Sequence, residues 1–133
     1  MPFCHGSRMG GAYMELATEA LDAAMAIDNH RLRRATEEQY QNVIKLSKNL
    51  YKIVEGYDPT SEVMMGDVIW PDRKDWKGKK VEDIRLQTWL FAKNLETFTE
   101  LSKKEQKELL DACLRLSREA QSCSRPLILR LSA

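Results

Sequence analysis

Residues 30–57, HRLRRATEEQYQNVIKLSKNLYKIVEGY, carry the clearest periodicity in the chain. Leu32, Tyr40, Val43, Leu46, Leu50, Ile53, Val54 and Tyr57 keep a helical period, the spacing that lays apolar side chains along one face of an α-helix. At the helical rise this stretch makes about seven turns, about 42 Å. Gly56 and then Asp58-Pro59 stop it, because proline cannot continue the hydrogen-bond ladder and biases the residue before it away from helix.

Toward the N-terminus, a first helix is expected over about 12–28. Tyr13, Ala17, Ala20, Leu21 and Ala24 form its apolar stripe, with Met14 and Met25 flanking it. Asp28-Asn29 reads as its stop and as the cap of the helix that follows. Residues 1–11, MPFCHGSRMGG, read as a flexible arm. Beyond the long helix, residues 58–80 hold two glycines, a Trp-Pro step and alternating charges, and are expected to form a long irregular loop. A short strand at 63–70 is the alternative there. A third helix is expected over about 81–101, with Ile84, Thr88, Phe91, Leu95 and Phe98 facing the core. Ser102-Lys103-Lys104-Glu105 is a capping-box pattern opening a fourth helix over 103–123. Leu109, Cys113, Leu116, Ala120 and Cys123 share a face of that helix, and Ser124-Arg125-Pro126 closes it. The segment after it, 127–131, LILRL, is too apolar to be free and is expected to dock on the bundle or on a partner. Four amphipathic segments and no alternation of strands with helices predict an all-α, four-helix bundle-like fold, a single domain over 12–133.

The composition agrees. A chain of 133 residues, 43% apolar and with a net charge of +1, is too hydrophobic and too nearly neutral for a disordered polymer. Three cysteines are too few for a disulfide scaffold. Cys113 and Cys123 fall about 15 Å apart along one helix, too far to bridge. Cys4 could reach either, but the odd count favours free thiols and a reducing, cytoplasmic setting. No window is apolar enough to span a membrane, and Glu15, Glu19 and Asp22 interrupt the first apolar stretch where a secretory signal would need continuity. A presequence removed earlier would leave no trace.

Four features could carry function. Trp89 lies about 140° around the third helix from Ile84, and Leu86 is also off the core stripe. Leu110 and Leu114 are displaced in the same way on the fourth helix. A second apolar face needs a cover: a tail, another subunit or a partner. The loop around Trp70 and Trp76, with five Lys/Arg between 70 and 80, could anchor a partner or fold back as a cap. Arg31, Arg34, Lys45, Lys48 and Lys52 lie on the polar side of the second helix, where a cationic rod could follow phosphates. A solvated face is the favoured explanation of that pattern, since Glu37, Glu38 and Glu55 share the same polar arc. Glu15, Glu19 and Asp22 on the first helix, with Glu55 and Asp58 at the end of the second, form an acidic set of the kind hard cations use. Only His5 and His30 are available to a nucleophile or metal, and Cys4-His5 sits on the arm, so catalysis is not expected. The chain also has no Cys-x-x-Cys, phosphate-binding glycine loop or dinucleotide fingerprint, so neither a metal nor a cofactor is expected.

Two resemblances bear on these features. The acidic set resembles that of the all-α nucleoside triphosphate pyrophosphohydrolases of the MazG type, which hold Mg²⁺ through Glu-x-x-Glu followed by Glu-x-x-Asp. Glu55 and Asp58 fit the second half of that pattern, whereas Glu15 and Glu19 are four apart. The stretch 72–120 resembles the later part of PsbQ-like proteins, extrinsic four-helix subunits of photosystem II. Asp72-Arg73-Lys74 before Trp76, Ile84-Arg85, Leu95 with Thr97, Lys104-Glu105 and Leu116 carry it, over about a third of the chain. The first helix here and the last helix of that family have no counterparts. The resemblance implies a subunit of an assembly.

The sequence thus leads to a non-enzymatic protein–protein interaction or assembly module. Its contacts are expected at Trp89, Leu86, Leu110 and Leu114, at Trp70 and Trp76, and at Leu127, Leu129 and Leu131. A nucleic-acid-binding accessory using the basic second helix is the alternative.

Overall fold

The computed structural model describes residues 10–56 and 81–124, with side chains from 13 to 56 and from 84 to 122. Four helices make up nearly all of this: α1 (Gly10–Arg31), α2 (Glu37–Ile53), α3 (Val81–Glu96) and α4 (Lys103–Ser124), with a single 3₁₀ turn, Phe98–Glu100, before α4. The all-α, bundle-like architecture is the one the periodicity predicts. Among the described residues no helix is long and apolar enough to cross a membrane.

Neighbours in sequence run antiparallel. His30 near the end of α1 meets Tyr40 near the start of α2, and Glu19 meets Asn49 further up. Ser47 of α2 reaches Ala92 of α3, and Arg85 reaches the carbonyl of Glu55. Ser117 of α4 lies against Ala17 of α1. The two short connections, 32–36 and 97–102, therefore share one pole of the bundle. Gly10, Gly56, Val81 and Ser124 share the other.

The boundary between the first two helices is not where the sequence suggests. Asn29 does not cap α2; α1 runs on to Arg31 and closes with two backbone bonds, Arg33 N to His30 O at 3.0 Å and Arg34 N to Asn29 O at 2.7 Å. This pair of bonds is a Schellman closure, and it puts Arg33 at φ 58°, a left-handed position where glycine is usual. The helix expected over 30–57 instead begins at Glu37, with Thr36 as its cap. The Thr36 hydroxyl accepts from Gln39 N at 3.2 Å while the Gln39 side chain accepts from Thr36 N at 2.9 Å. The second box, at Ser102 and Glu105, forms as predicted. Gly56, at φ 81°, follows the end of α2. The third helix ends at Glu96 rather than near 101, because the chain tightens into the 3₁₀ turn that seats Phe98 in the core.

The core is built unevenly. α2, α3 and α4 contribute large side chains: Val43, Leu46, Leu50, Phe91, Leu95, Leu109 and Leu116 are fully buried. α1 contributes mainly alanines, with Ala17, Ala20, Ala23, Ala24 and Ala26 buried beside Tyr13, Leu16 and Ile27. Small side chains let backbones approach, and α1 packs closely on both α4 and α2. Buried serines exploit that approach. Ser117 Oγ donates to the Ala17 carbonyl and Ser47 Oγ to the Ala92 carbonyl, both at 2.8 Å. These carbonyls already serve helices, so each hydroxyl finds its acceptor without breaking a ladder bond.

Candidate functional site: the outer face of α1

The feature that stands out is on α1, on the side turned away from the core. Met14, Leu21, Met25 and Leu32 are 50%, 41%, 54% and 51% exposed, and the only other large apolar side chain this exposed among the described residues is Ile53. Their steps are seven, four and seven residues. At 3.6 residues per turn, Met14, Leu21 and Met25 fall within about 20° of a common line along the helix. Leu32 extends the line just past the last helical residue. Steps of three, four and seven are those of a helix seam that expects another chain against it. Thr18 lies within the line and turns its hydroxyl inward, donating to the Met14 carbonyl at 3.1 Å.

The stripe has a charged border. Glu15 and Asp22 flank one side, and Asp28 lies near its lower end, 3.7 Å from Arg31. Beyond Glu15 and Asp22 a shallow groove opens toward α2, lined by Met14, Thr18, Glu19, Lys45 and Asn49 among others. Glu19 is committed there: Asn49 Nδ2 donates to both of its carboxylate oxygens, at 2.6 and 2.7 Å, and Lys45 Nζ stands 3.7 Å away. Among the described residues no three His, Cys, Asp or Glu side chains gather to hold a metal ion. Glu55 is exposed at the end of α2, and Asp58 lies outside the described residues. The described members of the acidic set, Glu15, Glu19, Asp22 and Glu55, therefore do not form a cation pocket.

The residues singled out from sequence fall differently. Leu110 is 7% exposed and belongs to the core, so it is not a surface contact. α4 buries a wider arc than one stripe, taking in Leu109, Leu110, Ala112, Cys113, Leu116 and Ser117. Leu114 is half-buried and packs against that core. Leu86 is half-buried, and Trp89 is half-buried on the α2–α3 seam, its ring edge-on to Tyr51 with centroids 6.4 Å apart. Lys93 Nζ sits over both rings, 5.3 and 5.2 Å from their centroids, and Tyr51 donates to Glu96 at 2.9 Å. Burial and this bond to a carboxylate both push the Tyr51 hydroxyl well above its ordinary range. Trp70, Trp76, Leu127, Leu129 and Leu131 lie outside the described residues.

The cationic rod is cut by the shifted helix boundary. Arg31 ends α1 and Arg34 stands in the turn, while Lys45 leans on Glu19, which leaves Lys48 and Lys52 exposed on α2 away from that carboxylate. Cys113 is a free, buried thiol, and burial raises its pKa far above its ordinary value, so it behaves as a small apolar side chain.

The α1 stripe escaped the sequence reading because Leu21 counted toward the core and Met14 and Met25 as its flanks. Met14, Leu21 and Met25 do carry a signal, the seven- and four-residue steps shared with Leu32, and the alanines beside them are what fill the interior. No protein-family model, curated protein or solved structure matches the chain.

Proposed function

We propose that this protein is a non-enzymatic protein-interaction module whose binding surface is the outer face of α1. The observation that supports it is the exposed line of Met14, Leu21 and Met25, continued by Leu32 just past the helix end, on a helix whose opposite face is already buried. Apolar side chains lined up in this way favour association, because covering them removes hydrocarbon from water.

The border of the stripe selects the partner's chemistry. Two copies packed antiparallel through α1 would set each Glu15 and Asp22 edge against the same edge of the other copy, which is unfavourable. A parallel pairing would need the edge of α1 that α4 already covers, where Ala17 meets Ser117. An apolar segment carrying Lys or Arg fits both the stripe and its acidic edge, with the charges setting orientation more than affinity.

The test uses an amphipathic peptide built from leucine and lysine and a matched one built from leucine and glutamate, titrated into the full chain by fluorescence anisotropy. The basic peptide is expected to bind and the acidic one not, and Leu21→Glu with Met25→Glu is expected to weaken binding at least tenfold. Both substituted positions are exposed, so stability is expected to move by no more than about 0.5 kcal/mol. Equal binding of both peptides, or binding that survives the double substitution, rejects the reading.

A further inference from the structure

We propose that the α1 stripe is the docking site for this chain's own segment 125–133, held in cis, so that an outside partner must displace it. The inference rests on the reading of the stripe as a protein-binding face and adds its resident occupant.

Three observations support it. The first is position. α4 runs antiparallel to α1 with Ser117 opposite Ala17, so Ser124, about 10 Å further along α4, comes level with the first turn of α1. Around α1, Ala17 on the α4 side stands about 60° from Met14, whereas Glu19 on the α2 side stands about 140° away. The stripe therefore borders the helix from which the segment departs. The second is reach. Nine extended residues span about 30 Å, and Met14 to Met25 is about 17 Å along the helix. The third is chemistry. RPLILRLSA holds Leu127, Ile128, Leu129 and Leu131, two arginines and no acid, complementary to an apolar line edged by Glu15, Asp22 and Asp28.

Segment 57–80 leaves from the same pole but fits less well. It joins α2 to α3, and α2 faces the stripe across the acidic edge of Glu15 and Asp22, whereas the segment carries five acids of its own. A short tether strongly favours the cis arrangement, since it holds the segment at an effective concentration in the millimolar range.

Two measurements on the full chain decide it. Trypsin cleaves after Arg130, while Pro126 shields Arg125. Leu21→Glu with Met25→Glu is expected to speed cleavage at Arg130 at least fivefold, with no dependence on protein concentration. An unchanged rate overturns the proposal, and protection that fades on dilution overturns the cis arrangement in favour of a second copy. The second measurement leaves the bundle untouched. With ¹³C-methyl methionine, replacing Leu127, Leu129 and Leu131 by serine is expected to shift the Met14 and Met25 signals and to tighten binding of the leucine–lysine peptide severalfold. Unmoved signals with unchanged peptide affinity overturn the docking while leaving the binding face standing. Loss of peptide binding in both forms instead strikes the binding face itself.

Discussion

α1 and α2 lie side by side in one bundle and solve opposite problems. α2 has a single apolar arc, with Val43, Leu46, Leu50 and Val54 buried and its remaining surface largely polar. α1 is apolar on two sides: alanines inward, Met14, Leu21 and Met25 outward. α2 is satisfied by its own core. α1 uses alanines to sit close to both neighbours and buries only Tyr13, Leu16 and Ile27 among its large apolar residues, leaving Met14, Leu21 and Met25 outside. Burying five alanines while two methionines and a leucine stay exposed runs against the usual preference, in which the larger apolar groups are the buried ones.

Substitutions on the two inner faces should break the comparison most sharply, in opposite senses. Leu46→Ala on α2 leaves a cavity and is expected to cost about 2–5 kcal/mol of unfolding free energy. Ala20→Leu on α1 has no room and is expected to cost about 1–3 kcal/mol through overpacking. Chemical denaturation of both variants checks this; an Ala20→Leu protein as stable as the parent would mean that α1 is not closely flanked.

The helix ends give the next effect. Thr36→Ala removes the α2 cap and is expected to cost about 1 kcal/mol, whereas Asn29→Ala, inside α1, should cost appreciably less. Equal losses would return the cap of α2 to Asn29.

The smallest effect appears only in alkali. Tyr51 on α2 and Tyr13 on α1 both hold their protons above the ordinary value of 10.0, Tyr51 through burial and its bond to Glu96, Tyr13 through burial. Cys113 does the same above 9.0. In each case the unfolded chain ionises first, so their contribution is complete below pH 9 and declines as pH rises past it. Tyr51→Phe is expected to flatten the decline above pH 10 more than Tyr13→Phe, read from denaturation midpoints between pH 8 and 11.

Most of the architecture was legible in sequence because leucine and aromatic spacing carries the helical period. Phe91, Leu95, Leu109 and Leu116 point inward as that spacing requires, and Ser102-x-x-Glu105 marks the start of α4. The box at Thr36-x-x-Gln39, which the Asp28-Asn29 reading passed over, is what starts α2, and nothing in the chain requires a break at Asp28-Asn29. The contact surface was less legible. Alanine adds little to an apolar count, so the side of α1 with Leu21 outweighed the side with Ala23 and Ala26, and Leu21 was assigned to an interior it does not occupy. Leu110 failed in the opposite direction, because a helix packed along its whole length on one neighbour buries more than a single stripe.

The antiparallel pairing of α1 with α4 has an engineering consequence. Their outer ends enter and leave the bundle side by side, about 8–10 Å apart as packed helices are. A host protein can therefore carry residues 10–124 as a cassette within one of its surface loops, spliced at neighbouring points, with little distortion of either fold.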